Sequence, residues 1–176
     1  MRTRLVSLAL FLLLIAASLP AFAHHTSADT PGGATTVGKS ADSKWTDTTI
    51  KAAATEANKK VLASGKPATV TGEVVEVSCY LQLGKRGEAH IPCGTKCINN
   101  GQPIGLVDAQ NNLYLLFAEE HDPRRDGAVT LKDAFLPLLA KQATVSGMMT
   151  QMKGGIRALY VTASTLSSMK PEGDAK

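Results

Sequence analysis

The chain has 176 residues, with 19 Lys and Arg against 15 Asp and Glu, a net charge of +4, and only 5% aromatic residues. A basic excess this small, with Arg2 and Arg4 contributing to it and few rings to stack on bases, excludes nucleic acid as the expected partner. Three cysteines are an odd number, so a disulfide leaves one over, whereas a single metal ion can use all three.

Residues 1–23 read as a secretory signal peptide. Arg2 and Arg4 precede an apolar run from Leu5 to Leu19, and Ala21-Phe22-Ala23 suits the cleavage rule. The run is short for a span of about 20 residues, so no stable membrane insertion is expected after cleavage. Removal leaves about 150 residues, enough for one domain with its own core. The expected location is periplasmic or secreted, where disulfides also form readily. Residues 24–44 are rich in Ser, Thr, Gly and Ala without an apolar period and read as a flexible leader.

From Trp45 to about Ala63, Ile50, Ala53, Ala54, Ala57 and Val61 fall on one helical face, so residues 45–66 are expected to form a single accessory helix. Gly65 and Pro67 stop it. The segment 68–81 then alternates, with Val70, Gly72 and Val74 on one face and Val75, Val77, Cys79 and Leu81 on the next. That change of phase predicts a β-bulge near Gly72 in one long strand ending at Leu81. Residues 82–103 read as a loop. Ile104–Val107 and Leu113–Ala118 form a strand pair joined by the polar turn Asp108 to Asn112. Thr130 and Asp133 suggest a helix cap, and Pro137 predicts a short, kinked or split helix behind it. Two last strands, Thr144–Met152 and Ile156–Thr165, flank Lys153-Gly154-Gly155, and a flexible tail is expected from 167 to 176.

Three strands, a helix and two strands, led by a long bent first strand, resemble the plan of the OB-fold over residues 68–165. The resemblance implies a mainly β domain, a small five-stranded OB-like barrel across 67–166. In such barrels the loop between the first two strands, here 82–103, is one of two places where ligands bind.

That loop and its entrance hold the chemistry: Cys79, His90, Cys93 and Cys97 within nineteen residues. Thiolates and imidazole suit zinc or copper, and His90-x2-Cys93-x3-Cys97 is close enough for neighbouring ligands to share one centre. Lys85, Arg86 and Lys96 are expected to lower the thiol pKa values and favour the thiolate. The Cys93-x3-Cys97 spacing also resembles that of extracytoplasmic copper chaperones for cytochrome oxidase, although their thioredoxin-like βαβ pattern is missing here. The competing readings are a disulfide from Cys79 to Cys93 or Cys97 stapling an interaction module, and a thiol–disulfide carrier using Cys93 and Cys97.

Other donors read as bland. Met148 and Met152 share a strand face about 13 Å apart, too far to grip one ion, with Met149 on the opposite face. His24-His25 belong to the leader, and His121 with Asp122, Arg124 and Arg125 to a solvated loop. Catalytic motifs are missing, including Gly-x-Ser-x-Gly and His-Glu-x-x-His. The sequence therefore predicts a non-enzymatic exported metal-binding protein with a zinc or copper ion on Cys79, His90, Cys93 and Cys97. An envelope protein is a possible partner.

Overall fold

The computed structural model describes residues 33–119, 127–152 and 154–169; the signal sequence, His24-His25 and the loop with His121 and Arg124-Arg125 lie outside them. In chain order the elements are β1 (Thr35–Val37), α1 (Asp47–Ala52), α2 (Glu56–Ser64), β2 (Lys66–Glu76), α3 (Val77–Leu83), α4 (Ile91–Asn99) and β3 (Ile104–Val107). There follow β4 (Leu113–Ala118), α5 (Gly127–Phe135), β5 (Gln142–Gln151), β6 (Arg157–Val161) and α6 (Ala163–Ser168).

β2 is long enough to serve two neighbours. Lys66 to Glu73 pair antiparallel with β5, and Glu73 to Glu76 pair antiparallel with β3. β3 pairs antiparallel with β4, β4 runs parallel to β6, and β6 returns antiparallel to β5, which closes five strands into a barrel. This is the expected OB-like circuit, with α5 between its third and fourth strands. β1 adds a sixth strand, parallel to β5 through Thr35↔Ala143 to Val37↔Val145. Val74, Leu106, Leu116, Phe135, Val145 and Leu159 are among the residues that fill the interior, each 2% exposed or less. A closed circuit leaves few bare edges, which lets a chain with so few rings form a stable β domain.

No bulge accompanies the change of phase in β2. The register runs unbroken from Lys66↔Met149 to Glu73↔Gln142. The parity changes because both faces are covered at the C-terminal end of the strand, where Val74, Val75 and Glu76 are all buried. Gly72 does mark the handover from β5 to β3: a Cβ there would lie 2.6 Å from the Val107 carbonyl oxygen. The strand also ends at Glu76, not Leu81, and the expected 82–103 loop contains the whole of a helix, α4.

Elsewhere the hairpin turn is built as its residues suggest. The Asp108 carboxylate accepts hydrogen bonds from the backbone of Gln110 and Asn112, the Asn112 side chain and the Tyr114 hydroxyl. Pro137 splits the helix before β5 into α5 and a 3-10 turn, Leu136–Leu138. The helix begins at Gly127, however, so Thr130 and Asp133 lie within it. Met148 is buried, Met149 packs against the core and Met152 is exposed, in keeping with packing roles.

The single accessory helix is instead two. Thr55 caps α2 by accepting from Asn58 N, which interrupts the run after Ala52. Its expected apolar face is mostly unburied: Ala53 is buried, but Ile50 and Val61 are 54% and 47% exposed. The pair is held by its polar ends and by Trp45. The Trp45 ring meets Tyr160 edge-on at 5.3 Å, and its Nε1 donates to the Leu62 carbonyl. Thr46 N donates to the buried Glu119 carboxylate. The leader reading stops short as well, because residues 35–42 hold β1 and a 3-10 turn anchored by the buried Val37. At the other end β6 stops at Val161 and residues 163–168 form α6, with Leu166 in the core, so the expected tail is helical where it begins; residues 170–176 lie outside the described residues.

Candidate metal centre

Two acids on the last turns of β2 organise the segment that carries the cysteines. Glu76 is completely buried and caps α3: its two carboxylate oxygens accept from the backbone N–H groups of Ser78 and Cys79 at 2.7 and 2.9 Å. An acceptor at this position satisfies amides that a helix start otherwise leaves bare, so the chain turns helical where its valine alternation alone would continue the strand. Cys79 thus sits in the first turn of α3. Gly84, at φ 63, ends that helix in the left-handed conformation. Glu73 holds the connection that follows, accepting from Gly87 N at 2.6 Å and pairing with Arg86 at 3.6 Å.

The tethered connection delivers His90, which closes a 3-10 turn and stands at the N-cap position of α4 without a side-chain capping bond. Pro92 in the first turn suits a helix start. Cys93 and Cys97 lie four residues apart on α4 and therefore share a face. Ile98 anchors the helix in the core at 2% exposure. Gly94 packs between Leu139 and the imidazole: a Cβ there would lie 3.0 Å from Leu139 Cδ2, a tight contact, and 3.5 Å from His90 Nε2, an ordinary one.

The result is a compact cluster of soft donors. Cys79 Sγ, Cys93 Sγ and a ring nitrogen of His90 all lie within 4.8 Å of one another, and so do Cys79 Sγ, Cys97 Sγ and a carboxylate oxygen of Glu76. Cys79 belongs to both triplets. Through Cys79 the two triplets adjoin, so the four expected residues are brought together. For comparison, donors at 2.3 Å from a tetrahedral ion are ~3.8 Å apart, so small side-chain rotations would bring these atoms onto one. All three cysteines are free, and the disulfide of the competing reading is not formed.

The electrostatics differ from the expectation of activated thiolates. A hydrogen bond to the Glu76 carboxylate, reinforced by burial and by the carboxylate charge, pushes the Cys79 thiol up to about 12. Burial, then contact with Cys93 and the charge on Glu76, raise Cys97 as well. Burial alone would raise Glu76, but hydrogen bonds from the Cys79 thiol and from the Cys79 and Ser78 amides hold it below the usual carboxylate range. The basic residues do not reverse this balance: Arg86 is spent on Glu73, while Lys85 and Lys96 are exposed.

His90 is the least satisfied member. It is 6% exposed, and its Nε2 has no hydrogen-bond partner. Glu76 Oε2 lies 4.0 Å away, beyond hydrogen-bond reach. A buried polar nitrogen left bare costs about 1–3 kcal/mol.

Glu76 is the functional residue that spacing arguments on Cys and His overlooked. Its signal was an acid inside the apolar run Val74-Val75-Glu76-Val77, since carboxylates are seldom fully buried without a partner or an ion. No protein family model, curated protein or solved structure matches the chain.

Proposed function

We propose that this is an exported, non-enzymatic metal-binding protein that holds zinc or copper at one end of its barrel. Cys79, His90 and Cys93 are the core ligands, and Cys97 completes the shell. The observation that carries this reading is His90 Nε2, buried and without a partner, on a ring that lies within 4.8 Å of two free cysteine sulfurs. An ion at that point gives the orphaned nitrogen a partner and converts crowded thiols into ligands. Three sulfurs and one nitrogen suit tetrahedral zinc, and a subset of the same donors suits copper(I).

Cys93 is exposed and His90 buried, so the ion would lie at the rim with one ligand facing solvent. That arrangement supports loading and release as well as a structural role. Substituting His90 by alanine tests the reading: retention of zinc or copper(I) against a competing chelator should fall by at least tenfold, with the fold intact by circular dichroism. Unchanged retention would remove the basis for the proposal.

A further inference from the structure

Resting on the metal-binding reading, we infer that the centre accommodates two divalent ions of the zinc class, with the Cys79 sulfur bridging them and Glu76 a ligand of the second. The two donor triplets lie side by side and meet at Cys79: His90 and Cys93 on one flank, Glu76 and Cys97 on the other. Each triplet offers one ion three ligands from three separate positions in the chain. A thiolate has lone pairs enough to serve both.

Charge favours the pair over the single ion. Three thiolates and the Glu76 carboxylate carry four negative charges, and His90 binds as the neutral imidazole. One divalent ion leaves two negative charges uncompensated around a fully buried carboxylate; a second brings the cluster to neutrality. The surroundings supply no substitute. Among the described residues the ion-pair contact of Glu76 is with His90, which an ion holds neutral, while Arg86 is paired with Glu73.

The carboxylate accepts from the Ser78 and Cys79 amides, and the Cys79 thiol and Ser78 hydroxyl also face it; the thiol is the donor that metal binding removes. The first ion displaces the Cys79 S–H proton to solvent and so takes that hydrogen bond from the carboxylate; the second ion fills the vacated place, bridged by the same sulfur. Glu76 is thereby more than the cap of α3.

Native mass spectrometry of the full chain titrated with zinc, repeated with cadmium and read by 113Cd NMR, tests this. Two bound ions and two cadmium resonances are expected, the second ion binding more weakly. Glu76→Gln, close in shape, should lower the stoichiometry from two to one while the first ion stays bound. Cys97→Ser should also lower the stoichiometry from two to one, with the remaining ion held more weakly for the loss of its fourth ligand, and so covers the case in which the Glu76 variant fails to fold. Saturation of the wild type at one ion in large metal excess would overturn the two-ion inference and leave the metal-binding reading standing. A wild type that binds none would overturn both.

Discussion

Replacing Gly94 by alanine should separate the metal centre from the fold that carries it. The added Cβ would lie 3.0 Å from Leu139 Cδ2, 3.4 Å from His90 Cδ2 and 3.5 Å from His90 Nε2. Only the leucine contact is too tight, and a terminal methyl can yield by the ~0.4 Å required. Alanine in a helix gains about 1 kcal/mol over glycine, while overpacking a core costs about 1–3 kcal/mol. With one flexible atom to move, these offset, and the apo protein should unfold in urea within about 1 kcal/mol of wild type. The imidazole is less forgiving. A metal–nitrogen bond of about 2.0–2.1 Å demands a set ring orientation, and the new methyl flanks the nitrogen that must make it. Affinity should fall by about 10–100-fold, comparable to the loss of an orienting partner behind a ligand. Competition against a chromophoric chelator reads the affinity, and urea titration of the metal-free protein reads the stability. Wild-type affinity in a stable variant would refute the placement of the ion at the Nε2 edge of His90.

Three further outcomes follow from the same geometry. With the Cys79 thiol pushed up to about 12, its thiolate fraction at pH 8 is on the order of 10⁻⁴; iodoacetamide should label the exposed Cys93 well before Cys79 in metal-free protein, as mass-spectrometric peptide mapping would show. Because protons occupy the raised Cys79 and Cys97 thiols throughout the neutral range, lowering the pH from 8 to 6 should weaken metal binding by about tenfold per unit for each thiol displaced; a pH-independent affinity would mean that these sulfurs are not ligands. Gly72→Ala drives a Cβ to within 2.6 Å of the Val107 carbonyl oxygen, a backbone atom held in the barrel wall, so it should destabilise the domain by about 3 kcal/mol in urea unfolding.

The barrel was legible because its signals are local. β3 and β4 carry apolar runs bounded by a turn whose Asp108 and Asn112 do what those residues do in turns, and their bounds agree with expectation. α3 was hidden because Val77, Cys79 and Leu81 also fit a two-residue period, and only the capping role of Glu76 breaks the tie. α4 was hidden because Pro92, Gly94 and Thr95 are poor helix formers; tertiary anchorage through Ile98 overrides them. β1 has a single buried side chain, Val37, and owes its existence to the edge offered by β5. For the centre, residue type and spacing indicated which side chains meet. They could not show that a buried acid would keep Cys79 protonated, because that depends on where β2 ends.

X-ray absorption at the metal edge of protein purified from its own compartment tests the central claim most directly. The account predicts a sulfur shell with two or three scatterers at about 2.3 Å and imidazole nitrogen at about 2.0–2.1 Å, the nitrogen signal disappearing in His90→Ala. A shell of oxygen and nitrogen without sulfur, or a protein that carries no metal and has two of its cysteines joined, would contradict it.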